Sequence, residues 1–339
     1  MNLIYMCVFH NEKYIRLLEL LFLSLRMYSS PCDILILSSD NFKEKIQTLS
    51  THLNLPCTIH CIPCKSIFEA ACARLHVFEW SGIDAYDKIL YLDTDIIIRR
   101  DVTRVFDYHL EHKLYGLASA TLESPQFGGQ FFDWATCDLD PKTQGVNSGT
   151  LLFRNCIEIR SLFQRINLHI QEHVVAGLKI PAVMDQPFIN YHAFMSKLCD
   201  TSLLMPDVSL YEDMATVVNE DTASICHFAF PIGNFEHKYT RMSQFFYSLL
   251  NKTEDTPILP PINGKQYSWE AGYIRFSRGF ITTTWGKGTY SILGENIVCA
   301  VWNNYWHILK FNDTFTEFIS IRTEPTDFHC VHGSLTETS

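Results

Sequence analysis

The sequence predicts an α/β protein built on a mainly parallel sheet flanked by helices, followed by a small antiparallel all-β unit. Short apolar runs alternate with helical patterns through most of the chain, the arrangement that produces β-α-β units and a parallel sheet. One of those runs, ILYL, ends in Asp93-Thr94-Asp95, so two carboxylates stand where open α/β sheets place their ligands. From Gly264 onward the helical periodicity gives way to short β-prone stretches separated by Gly- or Asn-containing turns.

Taken in order, NLIYMCVF is a buried strand that ends at polar HNEKY, and Leu17, Leu18, Leu21, Phe22 and Leu25 mark the helix after it. CDILILSS reads as the second strand and FKEKIQTLSTHL as its helix. CTIHCIP is the third strand, IFEAACARLHVFEW a helix, and ILYL the strand that carries the aspartates. KLYGLASA and GTLLFRN supply further strands and CIEIRSLFQRINLHIQEHV a helix. The Gly-, Pro-, Asp- and aromatic-rich stretch from Thr121 to Val146 reads as a loop over a site. DQPFINYHAF is a short helix, and SLLMPDVSLY and ASICHFAF are late strands or extended segments.

NKTEDTPILPPINGK interrupts the pattern and puts a boundary between Thr253 and Gly264. It divides a unit over residues 1–255 from one over 264–335. In the second, YIRFS, FITTTW, TYSIL, IVCAVW, WHILKF and EFISIR are strands, with turns at SRG, GKG, LGEN, NNY and NDT. Trp269, Trp285, Trp302 and Trp306 fall close together there. They read as large core fillers of a small module, with a glycan-holding role as the competing explanation.

Of the 339 residues 47% are hydrophobic and 19% charged, enough to bury a core, which excludes a disordered chain. With 27 basic against 37 acidic residues the formal charge is −10, and no basic run offers a nucleic-acid or anionic-membrane surface. Glu19 interrupts the one long apolar stretch, and no segment reaches the roughly 18–20 apolar residues of a membrane span. The twelve cysteines then read as reduced thiols of a cytoplasmic protein. Cys57, His60, Cys61 and Cys64 lack a second C-x-x-C and do not make a zinc site, nor do His329 and His332 around Cys330.

The aspartates at 93 and 95 carry the chemistry. Hard oxygen ligands at a strand end suit Mg²⁺ or Mn²⁺ bridging two phosphates. A solvated strand end with ordinary turn aspartates is the competing explanation, and Asp138 and Asp140, in a loop before a proline, are read in that way.

LYLDTDIII, VNSGTLLFRN, MDQPFIN and SICHFAF occur in that order, and over residues 1–250 the chain resembles the glycogenin-like retaining glycosyltransferases of the GT-A fold. The resemblance implies a nucleotide-sugar donor, a UDP-hexose with UDP-glucose foremost, transferred with retention to a glycan or glycoprotein acceptor. It implies base contacts from Tyr14 and the backbone around Phe9, and a donor-phosphate or donor-sugar contact from Arg74. It further implies Asn147, Ser148 and Gly149 beside the donor sugar, and Asp185 and Gln186 under the ring as catalytic residues. Asp93, Asp95 and His227 would hold the cation, with Thr94 at the donor, and an imidazole favours Mn²⁺ over Mg²⁺. The family's Gly and Lys after the histidine are more widely spaced here; Gly233 and Lys238 fill those places, with Lys238 on the diphosphate. Phe131, Phe132 and Trp134 are candidate acceptor faces and equally candidate packing residues.

Two other functions compete with this one. A nucleotidyltransferase would want a Gly-rich phosphate loop after the first strand, which FHNEKY is not. A degenerate transferase serving as a carbohydrate-binding or scaffold protein would not need the full ligand set.

Overall fold

The apolar runs become the buried strands of one sheet in the computed structural model, which describes every residue except 212–222, 230–234, 252–260, 271, 278, 295, 303–304, 323–328 and 339. In chain order the elements are β1 (Asn2–Val8), α1 (Lys13–Tyr28), β2 (Asp33–Ser38), α2 (Asp40–His52), β3 (Thr58–Cys61), α3 (Ile67–Cys72), β4 (Lys88–Leu92) and β5 (Ile96–Ile98). They continue with β6 (Leu114–Thr121), β7 (Gln144–Arg154), α4 (Ile157–Val175), α5 (Gln186–Met195), β8 (Cys199–Asp200), β9 (Val208–Leu210), β10 (Ile225–His227) and α6 (Phe235–Asn251).

The main sheet runs β3-β2-β1-β4-β7-β6-β8. Its first four strands are parallel, β7 enters antiparallel to both β4 and β6, and β8 is parallel to β6. The period of two along a strand sorts the core onto two faces. Ile4, Met6 and Val8 pack with α1 and α2 on one side, and Leu3 and Tyr5 pack with α4 and α5 on the other. A second sheet, β5-β10-β9, joins β10 antiparallel to β5. β5 and β8 are additional to the strands read from sequence.

Three expectations are corrected. The helix expected over IFEAACARLHVFEW is an α-helix only as far as Cys72, and Ala73–Glu79 continue as a 3₁₀ segment. Ser66 starts it, its Oγ accepting from Glu69 N at 3.1 Å, and the switch to 3₁₀ turns Arg74 inward, where it is buried. The C-terminal unit is a closed eight-stranded barrel rather than a six-stranded module. Its strands are β11 (Lys265–Trp269), β12 (Gly272–Ser277), β13 (Phe280–Thr283), β14 (Gly286–Gly294), β15 (Ile297–Trp302), β16 (Tyr305–Phe311), β17 (Glu317–Arg322) and β18 (His329–Thr338). β11 closes on β18, so no edge remains to be protected. GKG, expected as a turn, opens β14, because a Cβ at Gly288 would lie 1.8 Å from Val301 O across the pair.

The boundary expected at Thr253–Gly264 lies outside the described residues up to position 260. Among the tryptophans, Trp269 and Trp302 fill the barrel core, which favours the core-filling explanation for two of the four; Trp306 is buried in the core that holds α1, and Trp285 is 44% exposed. The barrel docks on the α/β unit. Alternation along β15 sends Val298 and Ala300 to the barrel interior, and Ile297 and Cys299 join Ile308 and Trp306 in the core that holds α1. Buried on both faces, this strand reads as an unbroken apolar run. At its rim, His52 Nε2 lies 2.9 Å from Ile308 O, and Lys310 Nζ donates to Thr51 O at 2.8 Å and Asn54 Oδ1 at 2.5 Å. Lys310 thereby places a cation at the C-terminal end of α2, where the helix dipole welcomes it.

Burial lowers His52 to about 4. Its folded value lies below its unfolded one, so the unfolded chain takes up a proton first as pH falls from the ordinary 6.5 towards 4. That shift removes roughly 3 kcal/mol of stability across the window. Acid unfolding of the full chain followed by circular dichroism should show this loss, and His52→Gln should flatten the slope between pH 6.5 and 4. An unchanged slope would mean that the ring titrates freely.

Candidate active site

The site forms where the carboxyl end of β4 meets β7 and β10. Asp93 N donates to Gly149 O at 2.8 Å, which fixes the start of the acidic tripeptide against β7. The chain then turns at Thr94 into β5. Antiparallel pairing sets His227 opposite Ile96, and Phe228 N donates to Asp95 O at 2.8 Å. A register three residues long therefore carries a histidine from far along the chain to the aspartates.

Asp93, Asp95 and His227 each offer one ligand atom, and these atoms lie within 4.8 Å of one another. His227 Nε2 is 3.2 Å from Asp95 Oδ1 and 4.0 Å from Asp93 Oδ2. The 3.2 Å approach is not aligned as a hydrogen bond, and the buried Asp95 Oδ1 accepts none among the described residues. A buried carboxylate oxygen with no donor, beside an imidazole nitrogen and a second carboxylate, fits a divalent cation. A Cβ at Gly149 would lie 2.1 Å from His227 Cε1 and 2.8 Å from Asp93 Oδ2, so only glycine leaves the cluster its space. Among the described residues no other such group of His, Cys, Asp or Glu occurs.

Arg74 lies behind the cluster. Its NH1 is 3.2 Å from Asp93 Oδ1 and donates to Ser148 O at 2.6 Å, and its Nε is 3.0 Å from Asp185 Oδ2. The guanidinium also lies over the ring of Tyr91, 4.6 Å from its centroid. Tyr91 OH donates to Asp93 Oδ1.

Asp185 precedes α5 and follows Met184, whose φ of 53° is in the left-handed region. Asp185 is buried, and that burial raises it to about 6, with Arg74 pulling down and Asp93 pushing up. Asp95 behaves oppositely: burial would raise it, but Lys238 and His227 overcome that and hold it below the carboxylate range. Lys238 Nζ bonds Asp95 Oδ2 and is itself raised, the Asp95 charge outweighing burial.

The remaining expected residues are placed as follows. Asn147 Oδ1 accepts from Gly149 N at 2.9 Å and Ser148 N donates to Gln186 Oε1 at 3.0 Å. Gln186 Nε2 donates to Gln126 O at 3.1 Å. Thr94 is buried between the two aspartates. Tyr14 is partly exposed near Lys238 and Asp95, raised by burial. The Phe9 side chain is buried in the sheet core. Gly233 lies outside the described residues. Phe131 packs 4.8 Å from Phe188 of α5, and Phe132 stacks 4.7 Å from Trp134, whose Nε1 donates to Gly129 O at 3.1 Å, so each of the three has a packing partner. The second acidic pair behaves as turn residues do, Lys142 N donating to Asp140 Oδ1 at 2.9 Å.

Sequence reasoning missed Tyr91 and Asn190. Tyr91 sits on β4 two residues before Asp93, which follows the strand's last residue, a spacing that puts both on one face. Asn190 bonds Val146 N and O at 2.7 and 2.9 Å, and nothing in DQPFINYHAF marks it out beyond a polar residue in an apolar helix.

No family model matches the sequence. A lipopolysaccharide 1,2-glucosyltransferase of Escherichia coli K12 is 26% identical over 123 aligned residues, which take in 31% of this chain and 36% of that protein. The match thus spans about a third of that curated relative. The bifunctional glycosyltransferase WbbM shares the fold with a TM-score of 0.50 at 13% identity, over 73% of this chain and 51% of that one. The Streptococcus pneumoniae glycosyltransferase GlyE has a TM-score of 0.47 at 17% identity, over 74% of this chain and 63% of that one.

A carboxyl group raised from 3.8 to about 6 stabilises the fold fully below its unfolded value, and that contribution is lost as pH rises through 6. Asp185→Asn should therefore fold and gain on the wild type between pH 5 and 8, by up to about 3 kcal/mol. Thermal melts of both proteins across that range check this; a variant that loses stability as pH rises would show that the Arg74 pair outweighs burial.

Proposed function

We propose that this protein is a metal-dependent glycosyltransferase that moves a hexose from a UDP-sugar, UDP-glucose foremost, to a glycan or protein-linked acceptor with retention of configuration. The observation that carries the proposal is the joining of Asp93, Asp95 and His227 at a strand end, with Asp185 behind them across Arg74. A fold shared with a glycosyltransferase and a partial sequence match to a glucosyltransferase support it.

In this reading residues 1–255 bind the donor and the 264–335 unit stands outside the chemistry. Asp93, Asp95 and His227 hold Mn²⁺, or Mg²⁺, which when bound supplies Lewis-acid neutralisation of the departing diphosphate. Lys238 adds a second cationic group for the diphosphate, Tyr14 and the backbone at Phe9 line the nucleotide, and Gly233, outside the described residues, is assigned to the donor by the sequence resemblance alone. Arg74 holds Asp93 and Asp185 at a fixed separation, and its bond to Ser148 O sets the Asn147-Ser148-Gly149 turn beside the sugar. Asp185 faces the anomeric centre as nucleophile or ion-pair stabiliser. Both ends of the Gln186 amide are occupied, so it acts on the sugar through Ser148 and the 121–146 loop. The described cysteines carry free thiols, in keeping with a reducing cytoplasmic setting. No helix among the described residues is long and apolar enough to cross a membrane.

A panel of UDP- and GDP-sugars incubated with Mn²⁺ tests the assignment. Metal-dependent release of UDP is expected with a UDP-hexose, and proton NMR of the transfer product should show an α-linkage from an α-linked donor. Asp95→Asn, which deletes a ligand without opening a cavity, should lower turnover on the order of a hundredfold, as loss of an electrostatic catalytic contact does. Undiminished Mn²⁺-stimulated turnover in that variant would sink the metal assignment.

A further inference from the structure

The two metal-facing carboxylates are each restricted to one side. Asp93 Oδ1 is taken by Tyr91 OH and by Arg74 NH1 at 3.2 Å. Its Oδ2 faces His227 Nε2 at 4.0 Å, and a Cβ at Gly149 would come within 2.8 Å of it. Asp95 shows the same division: Oδ2 is taken by Lys238 Nζ, and Oδ1 faces His227 Nε2 at 3.2 Å. The inward oxygens and the imidazole form the cluster, and the outward oxygens are spoken for.

We propose that Tyr91 and Lys238 are metal-selecting residues, each holding one oxygen of a ligand carboxylate so that the cation receives a single oxygen from Asp93 and a single oxygen from Asp95. This rests on the metal-dependent reading given above and extends it to which ion is accepted. The selection follows from coordination chemistry. Ca²⁺ fills six to eight oxygen positions and draws on two-oxygen carboxylate contacts, whereas Mg²⁺ keeps near-octahedral geometry with short single-oxygen contacts. Imidazole, the third group, suits transition metals such as Mn²⁺ better than Ca²⁺. A pair of carboxylates limited to one oxygen each penalises the larger ion.

The Tyr91 side chain is built for this work rather than for filling space alone. It is buried, its ring lies 4.9 Å from Tyr5, and its face carries the Arg74 guanidinium. Tyr5 OH in turn donates to Arg74 O at 3.1 Å. Tyr91 and Arg74 therefore approach Asp93 Oδ1 from directions that the sheet fixes. Lys238 reaches Asp95 from α6, with its ammonium also 3.4 Å from Ala229 O. Both are positioning residues. Lys238 carries a charge as well, so on Asp95 it competes with any cation for the carboxylate.

The test is metal binding by the full chain without donor, measured by calorimetry with Mn²⁺ and with Ca²⁺ in the wild type, Y91F and K238M. The wild type should prefer Mn²⁺. Y91F keeps the ring and removes the hydroxyl, so Mn²⁺ affinity should fall on the order of tenfold, the size seen when outer-shell partners are removed, while Ca²⁺ affinity holds. K238M frees Asp95 Oδ2 and removes a competing charge, so both ions should bind more tightly, Ca²⁺ by the larger factor. An unchanged Mn²⁺/Ca²⁺ ratio in both variants overturns the selection, as does weaker Ca²⁺ binding in K238M. A wild type that binds neither ion overturns the metal reading itself, a different result from the first. If Y91F fails to fold, K238M decides, because Lys238 lies in the first turns of a helix rather than in the sheet core.

Discussion

The site depends on one buried cation. Asp93 stands just past the end of β4 and Asp185 just ahead of α5, and Arg74 touches both. Without it, two carboxylates with little water to screen them would repel, and the more deeply buried one would give up its charge. The pull of Arg74 is incomplete, since Asp185 still rises to about 6. The outcome is a buried acid, Asp185, poised near neutrality. Arg74 reaches this position because the chain passes from α-helix to 3₁₀ helix directly after Cys72. An α-helical continuation would turn the residue at that position by a different angle.

A second dependence runs through backbone pairing. Asp95 and His227 are 132 positions apart in sequence, and the pairing of β5 with β10 brings them together. Three residue pairs suffice because all three β5 side chains are buried, so a slip of one position would turn an isoleucine out of the core. The isoleucine run that makes IIIRR look merely like the tail of a strand is therefore what sets the register of the histidine.

That difference separates what the sequence carries openly from what it does not. Strands such as β1, β2 and β4 are legible because local apolar runs bounded by polar turns dictate them. The acidic pair is legible because its place at a strand end is a local fact. His227 is legible only through resemblance, since nothing within ASICHFAF says which strand it will pair with. Tyr91 was hidden by its own strand: an aromatic in ILYL is expected in a core, and its hydroxyl bond to Asp93 follows from a spacing of two that many core tyrosines share. The barrel was half legible. Its hairpin turns mark most strands, but closure depends on β11 and β18, and KQYSW and the polar GSLTET lack the apolar signature of the others.

The barrel's docking bears on the helices beside the acidic cluster. Trp306 projects from the barrel to within 5.7 Å of the Tyr239 ring on α6. The Arg16 guanidinium of α1 lies 3.8 Å from the centroid of the same Tyr239 ring. Arg16 and Lys13 also pair with Glu236, but those pairs are half exposed and contribute little. The contact of Arg16 and Trp306 with Tyr239, both of them buried, is the firmer connection. It joins the start of α1, where Tyr14 stands, to the start of α6, where Lys238 stands, and backs both with a barrel strand. The two residues proposed to meet the nucleotide and its diphosphate are thus carried on helices that share a core with the C-terminal barrel. The barrel thus backs the two helices that carry Tyr14 and Lys238, which gives a physical reason for its being fused to the same chain.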